Sequence, residues 1–277
     1  MMPLTVGSLF SGIGGFELGL ERTGGFKTAW QCEINPFCLK VLEKHWPGVK
    51  RFADIKKMGI GEEIPYVDVI CGGFPCQPVS CAGKRKGKED TRWLWPEFCR
   101  VVRCVRPEWV LIENVPGLLS ADAGRLFAGI LRDLSESGYD AEWTCLRASD
   151  AGAPHRRERI FVMAHTDGWN VETHGKTGTS GQIHIAGENQ LAACRKNVNV
   201  TNPVLNRLEN LKQTGTTSGP IDRNADWWSV EPNVGRVAHG IPSRVDRLRA
   251  LGNAIVPQCA QFVGQCLLDS IRTEAAQ

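Results

Sequence analysis

The chain of 277 residues is long enough to bury one substantial core, and its 42% hydrophobic and 23% charged residues are ordinary for a globular protein. The longest apolar runs, such as VDVICGGF and WVLIEN, fall far short of a membrane span, and MMPLTVGSLFSG lacks the charged-then-apolar pattern of a secretory signal. A net charge of +3 does not define a nucleic-acid partner by itself, so any such partner must show in where the basic residues cluster.

In chain order, LTVGSLF reads as a strand ending in the glycine-rich SGIGG, and FELGLERTG follows with helix-compatible spacing. FKTAWQCE is a second strand ending at Glu33, and NPFCLKVLEKHWP a helix closed by Pro47. VDVICGGF, WVLIENV and RIFVMAH are continuous apolar runs, the pattern of strands covered on both faces by helices. Strand and helix in repeated alternation predict an α/β fold with a doubly wound sheet, whose ligands bind at the carboxyl ends of the strands.

Composition changes near Thr166. From there to about Asp226 the chain is rich in Gly, Thr and Asn, hydrophobic periodicity is weak, and no element is assigned. Order returns with WWSVEPNVGRVAHGIP. From Pro257, the positions Cys259, Phe262, Val263, Cys266, Leu267 and Ile271 follow helical spacing, and the proline suits a helix start. This last helix is expected to pack back on the first half. The main domain then comprises residues 1–165 plus 244–277, with residues 166–243 a small irregular insert.

Eleven cysteines without an export signal suit a reducing cytoplasm and free thiols. Cys71, Cys76 and Cys81 recur at every fifth position, wider than the gaps of a zinc knuckle, and no histidine pair completes a ligand set, so no metal is expected. Pro75 and Pro78 bracket Cys76 and restrict its backbone, and the loop leaves VDVIC on the expected ligand side. A nucleophilic cysteine needs a fixed position and help in reaching the thiolate. Lys84, Arg85, Lys86 and Lys88 follow closely and would attract phosphates. An inert apolar cysteine before a solvated basic loop fits the same residues.

The LFSGIGGFE loop lets backbone approach a ligand, but Glu17 stands where the dinucleotide fingerprint has its third glycine, which disfavours a nicotinamide oxidoreductase. Glu33 lies where an acid commonly holds ribose hydroxyls, and Asp54 suits an adenine amino group. A tight turn with two solvated acids is the plainer alternative. Glu113 ends the WVLIENV strand, where partial desolvation would raise its pKa and suit it to give a proton; an ordinary strand-end acid would sit there too. Arg157 and Arg159, two apart, can share a face and grip a carbonyl, a phosphate or Glu113; taken singly, arginines are most often surface charges.

LFSGIGGFELGL, CEINPFCLKVLEKHWP, FADI, GGFPCQPVSCAGKRKG, WVLIENVPGLL, GAPHRRERIFVMAH and ALGNAIVPQ together resemble, in order, the motifs of the C5-cytosine DNA methyltransferase family. The resemblance covers roughly residues 4 to 165 and 244 to 268. It implies a Rossmann-like methyltransferase sheet, a cytoplasmic location, S-adenosylmethionine as methyl donor and double-stranded DNA as partner, with a monomeric enzyme and, in some cases, a cognate restriction enzyme. By resemblance, Cys76 attacks C6 of a flipped-out cytosine, Glu113 holds and protonates N3, and Arg159, supported by Arg157, binds the O2 side. Phe10, Ser11, Gly12, Ile13, Gly14, Gly15, Glu33, Ile34, Asp54, Ile55, Pro75, Leu94, Asn253 and Ala254 match cofactor-contacting positions. Gln77, Ser80, Lys84, Arg85, Lys86 and Lys88 fall on the DNA-contacting loop, and residues 166–243 on the target-recognition region. His155 stands where the family usually has Gln, and Val79 where it usually has Phe. The family's transfer-RNA branch usually has a second proline where this chain has Phe74, and a silent DNA-binding protein would not need Cys76 and Glu113.

Overall fold

The computed structural model describes residues 2–75, 93–166 and 243–274. Its strands are β1 (Leu4–Leu9), β2 (Phe26–Cys32), β3 (Lys50–Phe52), β4 (Val69–Gly72), β5 (Trp109–Asn114), β6 (Tyr139–Arg147) and β7 (Glu158–Thr166). Its helices are α1 (Gly15–Glu21), α2 (Pro36–His45), α3 (Trp95–Val105), α4 (Arg125–Ser135), α5 (Arg244–Asn253) and α6 (Pro257–Glu274). The strands form one sheet in the order β3-β2-β1-β4-β5-β7-β6. From β3 to β5 the pairing is parallel, as the alternation of strand and helix predicts. β7 departs from it, running antiparallel to both β5 and β6.

Local chemistry sets the element boundaries. Asn35 caps α2, its side-chain oxygen accepting from the N–H groups of Phe37 and Cys38 at 2.9 and 3.3 Å, and Pro36 fills the first helical position. Every residue of β5 is buried, which explains its unbroken apolar run. β6 lies at the sheet edge with only Tyr139 and Leu146 deeply buried, so its alternation is too weak to mark it as a strand in advance. The core has two halves, one on each face of the sheet. Trp30, Phe98 and Ile112 belong to the first, and Phe16, Leu111 and Leu267 to the second.

The second half depends on α6. Cys259, Val263, Cys266, Leu267 and Ile271 are buried there, on the spacing read from the sequence. The helix lies so close to α1 that a Cβ on Gly19 would collide with the Pro257 carbonyl and the Ala260 side chain. The absence of a side chain lets the two helices touch backbone to backbone.

The chain crosses from β3 on one flank of β1 to β4 on the other. This reversal opens a crevice beyond the carboxyl ends of β1 and β4, where doubly wound sheets bind ligands. No helix among the described residues is long and apolar enough to cross a membrane.

Candidate active site

A cavity of about 720 Å³ occupies that crevice. Its first wall is the turn after β1, where Phe10 and Gly12 line it, both with positive φ. For Phe10, at φ 55°, this is a sparsely populated conformation, of the kind held in place by its surroundings at ligand sites. The backbone N–H of Gly12 donates to Glu33 Oε2 at 2.8 Å, and that of Asn35 to Oε1 at 2.7 Å. Both oxygens of Glu33 are therefore fixed by main chain, and each keeps acceptor capacity for a further donor. Ile34, Asp54 and Ile55 continue the wall, Asp54 accepting the Lys56 N–H at 3.0 Å.

The opposite wall begins where β4 ends. Gly73, Phe74 and Pro75 line the cavity, with Leu94 beside them. Phe74 is buried in an aromatic group, its ring centroid 5.3 Å from Trp93 and 5.6 Å from Trp95. The Asn114 side chain donates to the Phe74 carbonyl at 3.1 Å and accepts the Val115 N–H at 2.9 Å. The end of β5 thus holds the chain two residues before Cys76. A Cβ on Gly73 would lie 2.8 Å from Glu113 Oε2 and push that carboxylate aside, so the glycine leaves the acid its place.

Glu113, 8% exposed, sits at the end of β5 opposite Phe161 of β7. Arg159, two residues before Phe161, lies diagonally across the pair, and its Nε is 3.1 Å from Glu113 Oε1. The antiparallel course of β7 brings this arginine to the carboxyl edge of the sheet. Burial pushes the Glu113 pKa up to about 7, against the pull of Arg159 and Arg157, so near neutral pH the group carries a proton part of the time. Arg157 lines the same cavity, half-buried, and its Nε has no hydrogen-bond partner among the described residues.

The structure thus brings Phe10, Gly12, Glu33, Ile34, Asp54, Ile55, Pro75, Leu94, Glu113, Arg157, Arg159 and Asn253 around one cavity. The other marked residues of the first turn do not join its lining. Ser11 turns inward, its hydroxyl donating to the Ser8 carbonyl at 3.2 Å. Ile13 lies on a separate cleft between α2 and α5, while Gly14 and Gly15 form the start of α1. Ala254 ends α5 outside the lining residues. Cys76, Gln77, Ser80, Lys84, Arg85, Lys86 and Lys88 lie outside the described residues, as does most of 166–243. Cys71 is wholly buried in β4, and burial holds its thiol pKa well above the ordinary value. Sequence reasoning missed the tether made by Asn114, although ENVP marks it as polar within a buried strand end. It also missed Arg249 of α5, on the cavity wall.

Residues 4–225 match the family model for C-5 cytosine-specific DNA methylase, and the chain belongs to that family. It is 40% identical over 156 residues to the Type II methyltransferase M1.ScrFI of Lactococcus lactis subsp. cremoris, covering 56% of this chain and 40% of that one. To the Type II methyltransferase M2.BsuMI of Bacillus subtilis it is 39% identical over 166 residues, covering 58% and 42%. The chain therefore spans less than half the length of these curated relatives. A crystal structure of an E. coli prophage-encoded protein, assigned as a DNA modification methyltransferase, matches with a TM-score of 0.52 at 28% identity, over 62% of this chain and 49% of that one.

Proposed function

We propose that the chain is a DNA (cytosine-5)-methyltransferase that acts on a flipped-out cytosine in duplex DNA. The observation that carries this reading is the carboxyl group of Glu113. It is buried, half-protonated near pH 7, braced by Arg159, and set across the cavity wall from the strand end that leads into Cys76. A stacked base hides its ring carbons, so chemistry at C5 requires extrusion, and a desolvated carboxylic acid is suited to meet the extruded ring at N3.

S-adenosylmethionine fits the other end of the cavity. The volume lies within the ~300–1,000 Å³ range of ligand pockets. Glu33, fixed by two N–H groups, retains acceptor sites for ribose hydroxyls, and Asp54 has one free for an adenine amino group. When bound, this cofactor supplies an electrophilic methyl carbon.

In the reaction, the Cys76 thiolate adds to C6 while Glu113 gives a proton to N3, and Arg159, with Arg157, holds O2. The ring electrons gather at C5, which becomes nucleophilic. After methylation, the C5 proton passes to water, its bonding pair restores the C5–C6 double bond and expels Cys76 as thiolate, and N3 returns its proton to Glu113. Residues 166–243 form the target-recognition insert, the basic loop from Lys84 to Lys88 contacts phosphates, and the chain works as a cytoplasmic monomer.

A duplex with 5-fluorocytosine at the target tests this reading, because fluorine stands where the departing C5 proton would be and does not leave as a cation, so Cys76 stays bound. A covalent complex is expected only with S-adenosylmethionine present and only with Cys76 intact; equal trapping by Cys76→Ser would overturn the assignment.

A further inference from the structure

Among the described residues, four cationic side chains, Lys56, Arg157, Arg159 and Arg249, share the cavity with three carboxylates, Glu33, Asp54 and Glu113. Arg159 is committed to Glu113, and Arg157 is packed half-buried into the wall. Arg249 differs from both. It is exposed on α5 at the cavity lip, and among the described residues its guanidinium makes no hydrogen bond or ion pair. The same face of α5 presents Gly252 and Asn253 to the cavity, so the helix fixes where Arg249 stands.

Two anions could meet such a group, the carboxylate of the methyl donor or a phosphate of the nucleic acid. S-adenosylmethionine is a net cation at neutral pH, so its binding adds positive charge to a cavity already rich in arginine. Part of the opposing negative charge is also missing, since Glu113 is partly protonated. The balance is restored by an anion arriving from outside, and an extruded nucleotide brings one on its backbone. Arg249 is exposed, open to a sugar–phosphate backbone lying outside the cavity, whereas Glu33 is half-buried with both oxygens held by main chain.

Building on the reading above, we infer that Arg249 is a DNA-positioning residue that clamps a backbone phosphate next to the extruded cytosine. It holds the nucleotide out of the stack while Glu113 and Arg159 engage the base. Its partner is recognised through charge, not through base identity.

The test uses the full chain and its Arg249→Ala and Arg249→Lys variants. Binding of a labelled duplex is followed between about 50 and 200 mM salt. S-adenosylmethionine affinity is measured by calorimetry. Arg249→Ala is expected to weaken duplex binding about tenfold. It should lower the slope of log affinity against log salt by about 0.9, the share of one phosphate. Cofactor affinity should stay unchanged, and Arg249→Lys should restore most of the slope. Weakened cofactor binding with an unchanged slope would assign Arg249 to the cofactor carboxylate and overturn the proposal, as would no change in either. A wild-type chain that neither binds duplex nor is trapped by 5-fluorocytosine would bring down the underlying reading and this one together, whatever the variants do.

Discussion

Glu33 and Glu113 both stand at the carboxyl edge of the sheet and line one cavity, yet their surroundings differ in kind. Glu33 is half-buried and receives a backbone N–H on each oxygen, from the turn after β1 and from the start of α2. Glu113 is buried among apolar strands, and among the described residues its one ion pair is with an arginine from β7. Fixed main-chain donors make the first an acceptor for neutral hydroxyls. Desolvation makes the second a proton carrier. What separates anchor from acid is the number of donors and the depth of burial, not the residue type or the strand end.

The sharpest way to break this contrast is Glu113→Gln. It keeps a hydrogen-bonding side chain but removes the proton, so turnover should fall by about 10²–10⁴-fold while cofactor affinity barely changes. A variant that retains full turnover would deny Glu113 its role as an acid. Glu33→Ala should do the reverse, weakening S-adenosylmethionine binding by about 10- to 100-fold in calorimetry, with the larger loss in KM rather than kcat.

A thermodynamic measurement sharpens the same point. Folded Glu113 titrates near 7, above the ordinary carboxylate value of 4.5, so its contribution to stability is fully present below about pH 4.5 and is lost as pH rises through 7. Glu113→Gln lacks that loss. Urea unfolding should show the variant gaining about 2 kcal/mol on the wild type between pH 5 and pH 8, and a pH-independent difference would contradict the raised pKa. The smallest effect is expected at the tether. Asn114→Ala should cost about 1–2 kcal/mol in the same assay, because the Phe74 carbonyl loses its partner in a buried setting.

Much of this contrast was legible in the sequence, and the gaps have physical causes. β5 reads as a strand because both its faces are buried, and Glu113 stands out as the charge at its end. The direction of β7 did not show, since an apolar run such as RIFVMAH looks the same parallel or antiparallel. That direction is what brings Arg159 onto Glu113. Ile13 matched a cofactor position by motif, but one further residue around the turn carries it to the α2–α5 cleft. Arg249 was invisible because α5 buries little besides Ala250, leaving no apolar periodicity to orient its faces.

The contact of α1 with α6, drawn tight at Gly19, joins residues more than half the chain apart. Such contacts repay their loop-closure entropy only late in folding. During synthesis, the apolar face made by Phe16, Leu20, Val69 and Leu111 lacks the packing that Cys259, Val263 and Leu267 supply until Pro257–Glu274 leaves the ribosome. The nascent chain therefore passes through an interval in which a finished strand order has one of its two cores incomplete, and in which a chaperone has the most to protect.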